Sequence, residues 1–274
     1  MIRHDKLKQQ IRIKGKLFID SPIRIGGARE ESPYQITDLA ITRIKTKDGM
    51  VPYIPGSSLK GLVRSASEKV YKSKTKEKIT CTPTSFRDSC GGNFNFKNLL
   101  KRRPNNEQIS EYIERNFCEI CKIFGTSGFK SHVFFTDCYP ITNETFTISK
   151  KAGTSMNRRL GGTDRGALYK TEFLEPGSEF GFSLTMNNLS TEQIGLLFSA
   201  FKLINQHRLF LGSFSSRGFG KFKILFENMI PEIGEDVTEG TNRVKIPSKN
   251  GKDAEKYTEE ILEIFINAWE RIVQ

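Results

Sequence analysis

Residues 10–25 alternate apolar and polar side chains, and this period of two decides what the start of the chain can form. Ile11, Ile13, Leu17 and Ile19 fall on one face of an extended chain. A strand with one buried face has this pattern, whereas a helix would repeat at three or four residues. The sequence therefore predicts a half-buried β-strand here, ended by a glycine pair.

The period then changes to that of a helix. A turn at Pro52–Gly56 is followed by Ser57 and Ser58, either of which can cap a helix. Apolar side chains recur on one face of this helix, at Leu59, Leu62, Val63, Ala66 and Val70.

The second half of the chain adds strands around another helix. Strands are predicted at His132–Cys138, Leu168–Phe173, Glu179–Met186 and Lys221–Phe226. A helix from Ser190 to about Arg208 starts with a capping box formed by Ser190 and Gln193. This order is that of the split βαβ motif and predicts an α+β fold, ferredoxin-like or similar to an RNA-recognition motif.

Two segments interrupt that order. Residues 73–130 are rich in Lys, Asn and Cys with weak periodicity, which indicates an insertion, and the polar stretch around 143–170 indicates a long hairpin. We divide the chain into the first half of the sheet domain (1–72), the Cys-rich insertion (73–130), the second half with the hairpin (131–227) and a tail with an amphipathic helix (228–274).

Lysine and arginine outnumber aspartate and glutamate by 43 to 31, a net charge of +12. Such a surplus is typical of chains that bind a polyanion, nucleic acid above all; the alternative is charge that serves solubility alone. No apolar run reaches the roughly 18–20 residues of a membrane span, and the polar N-terminus lacks the apolar core of a secretory signal. We expect a cytoplasmic protein with no membrane partner.

Four of the five cysteines have the spacing of metal ligands. Cys118 and Cys121 form a Cys-x-x-Cys pair, and Cys81 and Cys90 form a wider pair in the same insertion. Thiolates bind zinc tetrahedrally, so the four predict a structural Zn²⁺ that holds an insertion poor in apolar residues. The alternative is four reduced, unrelated cysteines. Cys138 lies on a predicted strand and is expected in the core.

A glycine-rich loop follows the second helix and opens the last strand. Its glycines allow a close approach to a ligand, and its free N–H groups can bind phosphate oxygens. A nucleotide-binding loop of the Walker type opens a helix instead, so that site is disfavoured. The alternative is a tight helix-to-strand connection with Phe219 in the core. The candidate RNA-binding residues are Gly212, Ser213, Ser215, Ser216, Arg217, Gly218 and Phe219.

The start of the first helix is a second candidate anion site. Helix N-termini attract anions through free N–H groups and the helix dipole. Ser57 and Ser58 can contact phosphates, and Lys60 and Arg64, four residues apart, share one helix face. The alternative is a capped helix with a solvated basic face.

These two segments, IPGSSLKGLVRS at 54–65 and GSFSSRGFGKFKI at 212–224, together resemble the RAMP (repeat-associated mysterious protein) superfamily. More narrowly, they resemble the guide-RNA-binding backbone subunits of type III CRISPR effector complexes. The resemblance runs from about Lys14 to Glu227. It implies a modified ferredoxin-like or RNA-recognition-motif palm that stacks with other effector subunits in a filament along the CRISPR guide RNA.

The resemblance also implies a β-hairpin thumb that kinks the duplex of guide and target RNA. The segment 143–170 falls where that thumb would be. Met156, Arg158, Arg159 and Leu160 are its candidates for wedging and phosphate contact. The alternative is a solvated loop.

In family members that cut target single-stranded RNA, an aspartate lies between the first strand and the helix start. Asp38 is the best match here, although the glycine pair that precedes the family's aspartate is missing; Glu30 and Glu31 are also available. A carboxylate can hold Mg²⁺ or Mn²⁺ for cleavage of RNA. Asp38 is therefore the predicted catalytic residue of a metal-dependent endoribonuclease.

Two other functions stay open. One is a guide-precursor-processing endoribonuclease of the same superfamily, a class that commonly relies on a histidine. His4, His132 and His207 lack the spacing for catalysis, which ranks this class second. The other is a structural end subunit without catalysis.

Overall fold

The computed structural model describes residues 5–26, 37–47, 49–75, 80–81, 88–142, 144–157, 159, 161–233, 242–243 and 253–273. The strands are β1 (Gln9–Ile19), β2 (Arg43–Thr46), β3 (Gly49–Pro52), β4 (Val133–Phe135), β5 (Tyr139–Pro140), β6 (Ile148–Asn157), β7 (Gly162–Leu174), β8 (Glu179–Asn187), β9 (Phe222–Ile233) and β10 (Asn242–Arg243). The helices are α1 (Gly56–Lys74), α2 (Phe94–Lys101), α3 (Asn106–Asn116), α4 (Glu119–Phe124), α5 (Thr191–Asn205) and α6 (Asp253–Val273).

The main sheet is antiparallel and has the strand order β10-β9-β1-β8-β4, with β5 also paired to β8. The predicted strand at the start of the chain is its centre, since β1 pairs with both β8 and β9. Without β10, the chain visits this sheet in the order β–α–β–β–α–β, which is that of the predicted split βαβ motif. The fold is a mixed one of helices and antiparallel sheets.

Helices α1 and α5 bury the apolar face of the sheet. Alternation places every second side chain of β1 in this core, and α1 contributes Leu59, Val63 and Ala66. The capping box predicted for α5 is present, because Ser190 accepts from the Gln193 N–H and Gln193 accepts in return. Helix α6 packs on α5.

Helix α5 ends at Asn205, so the prediction that it runs to about Arg208 is wrong. Gln206 caps the helix, and His207 has a positive φ of 55° that no α-helix continues. The predicted first strand is also too long. β1 ends at Ile19, and the N–H groups of Asp20 and Ser21 donate to Lys221 instead.

The insertion is helical, a feature that the weak periodicity of residues 73–130 did not predict. Helices α2 and α3 enclose a small apolar cluster of their own, with Phe96 and Ile113 at its centre. Helix α4 belongs to both cores: Cys121 faces the small cluster, while Ile120 and Ile123 face the main one.

Two hairpins lie outside the main sheet. The first pairs β2 with β3, and the second pairs β6 with β7 over ten and thirteen residues. The long hairpin overlaps the segment 143–170 predicted to form one, but β7 continues four residues beyond it, to Leu174. Among the described residues, no helix has the length and apolar character of a membrane span.

Candidate nucleic-acid interface and metal centre

The glycine-rich loop is built from backbone conformations that ordinary side chains avoid. Gly212, Phe214, Gly218 and Gly220 all have positive φ, with a short 3₁₀ turn at Ser215–Arg217 between them. A Cβ on Gly212 would lie 2.3 Å from the Arg24 carbonyl oxygen, so glycine is required for this close approach.

Side chains of the loop divide into a buried and an exposed set. Phe219 is 7% exposed and packs edge-on against Phe173 and Phe214. It is therefore a buried residue, as in the alternative interpretation of the loop. Arg217 is exposed and reaches the long hairpin, donating to the Tyr169 hydroxyl at 2.8 Å. Ser215 and Ser216 are exposed on the 3₁₀ turn.

Arg24, which the sequence did not single out, joins the loop to the Asp38 segment. Its guanidinium donates to Ser213 Oγ at 3.0 Å and to the carbonyls of Leu39 and Ala40 at 3.4 Å each. Its own carbonyl accepts from the Ser213 N–H. Burial lowers the pKa of this guanidinium, which stays charged because arginine starts so high.

Asp38 is solvent-exposed at the base of the long hairpin. Its Oδ2 accepts from the Lys170 N–H at 2.7 Å, and Leu39 then pairs with Thr171 in a parallel bridge. The backbone bonds from Leu39 to Lys170 and from Glu172 to Leu39 fix this segment along β7. The alternative carboxylates Glu30 and Glu31 lie outside the described residues.

The start of α1 is capped by a carboxylate from another element, so the prediction that Ser57 or Ser58 caps it is wrong. The cap residue is Pro55, which offers no side-chain acceptor, and Asp137 Oδ1 accepts from the Gly56 N–H at 2.7 Å. A Cβ on Gly56 would lie 2.7 Å from the Phe135 carbonyl oxygen, which explains this glycine. An anion of the protein therefore already lies at this helix end.

The polar residues of α1 lie in two places. Ser57 is exposed and Ser58 is partly exposed, so both remain open to a ligand. Arg64 instead faces the insertion, donating to the Gly125 carbonyl at 3.2 Å and to Cys121 Sγ at 3.6 Å. Burial lowers the pKa of Lys60, and the nearby Arg64 lowers it further.

The loop and the helix start are connected through the segment that follows Asp38. The Thr42 N–H donates to the Ile25 carbonyl, next to Arg24, and the Tyr53 N–H donates to the Thr42 carbonyl. Tyr53 precedes the Pro55–Gly56 start of α1 by two residues. The Asp38 segment thus lies between the two candidate RNA-binding segments.

At the tip of the long hairpin, Arg159 is exposed and Met156 is 62% exposed. Arg158 and Leu160 lie outside the described residues. The side chains of Met156 and Arg159 are therefore accessible at the surface of the hairpin.

The four predicted metal ligands come together. The sulfur atoms of Cys81, Cys90, Cys118 and Cys121 all lie within 4.8 Å of one another, with 3.2 Å between Cys81 and Cys121 and 3.8 Å between Cys81 and Cys118. Sulfurs at about 2.3 Å from a zinc ion in tetrahedral geometry are about 3.8 Å apart, so the cluster fits this ion. Cys138 is fully buried in the main core, as predicted.

Within the cluster, Cys118 is the cysteine held as a thiolate, the form that binds metal. Hydrogen bonds from Cys121 and Cys90 hold the pKa of Cys118 well below its usual range. Donating to Cys118 raises the pKa of Cys121 and raises that of Cys90 to about 12. Arg64 adds a positive charge beside Cys121.

The two described histidines make contacts with other residues of the chain. His132 is 1% exposed, and its Nδ1 lies 2.9 Å from the Asn187 carbonyl. His207 Nε2 lies 3.5 Å from Asp20, and its Nδ1 is buried. The described histidines are thus engaged within the protein, while His4 lies outside the described residues.

Comparison with known sequences adds two findings. The profile of one family, described as RAMPs, the RAMP superfamily, matches residues 17–223. Over 229 residues the chain is 26% identical to the protein named CRISPR system Cms endoribonuclease Csm3 of Methanocaldococcus jannaschii, which covers 79% of each chain. The match spans the glycine-rich loop, the Asp38 segment and the start of α1.

Proposed function

This chain belongs to the RAMP superfamily, and we propose that it is an RNA-binding backbone subunit of a type III CRISPR effector complex. The observation that carries the proposal is the Arg24 junction, which holds the glycine-rich loop and the Asp38 segment together inside the matched region. The net charge of +12 and the kinship with an endoribonuclease of a CRISPR system support RNA as the partner.

In this proposal the guide strand lies on a palm formed by the main sheet and its helices. The exposed N–H groups and hydroxyls of Ser215 and Ser216, with Arg217, contact its phosphates, and Ser57 and Ser58 contact the neighbouring ones. The long hairpin is the thumb, with Met156 and Arg159 near its tip. Copies of the chain then stack with other effector subunits along the guide, in the cytoplasm.

We further propose that Asp38 assists cleavage of the paired target RNA. It is exposed and one of its oxygens is fixed by the Lys170 N–H, so the carboxylate is both accessible and oriented. A single carboxylate suits Mg²⁺ or Mn²⁺, which take their remaining ligands from water and substrate phosphates. The ion would supply charge stabilisation at the leaving oxygen.

Asp38→Asn in the assembled complex tests this role. Asparagine keeps an acceptor for the Lys170 N–H but removes the charge that holds a cation, so we expect target cleavage to fall by about 100-fold or more with guide binding unchanged. Gel analysis of target fragments measures cleavage, and the native mass of the complex shows whether the guide RNA is bound. Normal cleavage at every site would remove Asp38 from the mechanism and favour a non-catalytic subunit.

The processing endoribonuclease is the second candidate, and the engagement of His132 and His207 within the protein counts against it. Incubating the isolated chain with guide-precursor RNA in buffer without added Mg²⁺ or Mn²⁺ separates the two. Only a metal-independent processing enzyme cuts under these conditions, whereas a backbone subunit binds the RNA and leaves it intact.

For the insertion we propose a structural zinc ion held by Cys81, Cys90, Cys118 and Cys121. The support is geometric, since the four sulfur atoms lie within 4.8 Å of one another. Zinc would supply the insertion with a fixed centre between α2–α3 and the main core, with Arg64 offsetting part of the thiolate charge.

A further inference from the structure

A small cavity lies where the long hairpin meets the glycine-rich loop. Its volume is about 180 Å³, below the roughly 300 Å³ at which pockets for drug-sized ligands begin. The residues that matter for its chemistry are Phe214, Phe219, Tyr169, Arg217, Lys151 and Thr171. The cavity has room for one planar ring system rather than for a whole nucleotide.

Aromatic rings and guanidinium groups form one wall. Phe214, held in a left-handed conformation, has two guanidinium groups close to its ring: the guanidinium carbons of Arg24 and Arg217 are 5.8 and 5.2 Å from the ring centre. Arg217 also donates to Tyr169 and so ties the loop to the hairpin. Tyr169 lies directly against Gly153 on the opposite strand, where a Cβ would be 2.4 Å from the ring.

The polar lining combines two cationic side chains, which only donate, with hydroxyl groups, which can donate or accept. Lys151 is exposed at the rim, and Arg217 extends beside it. Thr171 is 4% exposed, and within the described part of the chain its hydroxyl has no hydrogen-bond partner. A buried hydroxyl without a partner is costly, and a ligand that accepts from it removes that cost.

We propose that this cavity binds a single unstacked nucleobase, and that it favours guanine and uracil over adenine because they carry a carbonyl oxygen where adenine carries an amino group. The inference rests on the proposed RNA-binding function and adds a base-reading site to it. Stacking on Phe214 and Tyr169 is open to every base, because every base has a π-face. The donors Lys151, Arg217 and Thr171 match the carbonyl acceptors of guanine and uracil, whereas adenine places an amino donor there.

The test compares oligo(U) with oligo(A) on the full-length chain, by fluorescence anisotropy at one fixed salt concentration. Fixed salt is needed because phosphate contacts dominate affinity and depend on it. Oligo(U) is expected to bind more tightly. Phe214→Leu removes the aromatic face and is expected to weaken oligo(U) binding about fivefold or more, the lower end of base–aromatic stacking. Phe214→Tyr keeps the ring and is expected to bind as the natural chain does.

Thr171→Val removes the hydroxyl at nearly constant shape. The melting temperature is expected to stay the same or rise, because an unpartnered buried hydroxyl is lost. The preference for oligo(U) over oligo(A) is expected to shrink. Phe94→Ala, at an exposed aromatic of α2 in the insertion and outside the cavity, is the matched control and leaves both affinities unchanged.

An oligo(U) with one abasic position locates the source of the base. If it binds more weakly than intact oligo(U), and Phe214→Leu abolishes this difference, the bound base belongs to the strand. If free UMP competes with the oligonucleotide and AMP does not, the base itself is the ligand. Equal affinity for both oligonucleotides, unaltered in Phe214→Leu and Thr171→Val, overturns the cavity inference and leaves RNA binding standing. Binding of neither oligonucleotide contradicts the proposed function itself.

Discussion

At the scale of single residues, two glycines of the loop share a backbone conformation but differ in surroundings. Gly212 and Gly218 have φ of 84° and 88°. A Cβ on Gly212 meets the Arg24 carbonyl oxygen, whereas a Cβ on Gly218 meets nothing within 4 Å. Gly212 is therefore required by both its conformation and a close contact, whereas Gly218 is required by its conformation alone.

Replacing each glycine with alanine measures that difference. Gly218→Ala is expected to lower the free energy of unfolding by about 1–2 kcal/mol, the cost of a left-handed residue with a Cβ. Gly212→Ala adds a steric clash and is expected to cost more. Urea denaturation of both variants provides the values, and equal losses would show that the loop can move away from Arg24.

Sequence reasoning recovered residues whose partners lie nearby in the chain or carry a distinctive spacing. Ser190 and Gln193 cap α5 over three residues, and the Cys-x-x-Cys pair is visible in the sequence. Arg24 and Asp137 were missed because their partners lie up to 189 residues away. No local pattern marks such contacts, which depend on the folded sheet.

At the scale of elements, the helices of the insertion are marked in the sequence by their capping residues. Asn105 and Gln108 form a capping box at the start of α3, and Asn93 caps α2. Weak apolar periodicity hid both helices, because they pack against a small cluster rather than the main core. Capping residues were the better guide there.

Helix α1 provides the prediction at this scale. Asp137→Ala removes the acceptor for the Gly56 N–H and is expected to lower the free energy of unfolding by about 1 kcal/mol. Ser57→Ala, in the same first turn, is expected to change it by less than about 0.5 kcal/mol. Chemical denaturation measures both, with Asp137→Asn as a variant that keeps the acceptor. A larger loss for Ser57→Ala would restore the serine as the cap.

At the scale of the whole molecule, two cores meet at α4. The main core holds the sheet with α1 and α5, while the small cluster depends on the cysteines for much of its contact. A unit with so little apolar burial is expected to need a metal for stability.

Purified protein is expected to contain one zinc ion per chain by elemental analysis. Removing it with a chelator should unfold α2 and α3, so circular dichroism should lose part of its helical signal while the main sheet remains. Cys121→Ser should mimic the chelator, and Cys138→Ala, in the main core, should keep the zinc. A chain that binds no zinc would leave the insertion supported by packing alone.

The Arg24 junction couples the glycine-rich loop to the segment that follows Asp38. One guanidinium holds the glycine-rich loop and the carbonyls that follow Asp38, so disorder in either segment removes hydrogen bonds from the other. A ligand that fixes the loop therefore also stabilises the segment beside Asp38, and the linkage runs equally in both directions. Under the proposed function, RNA bound at the loop and the position of the Asp38 segment support each other, so a change that loosens one is felt at the other.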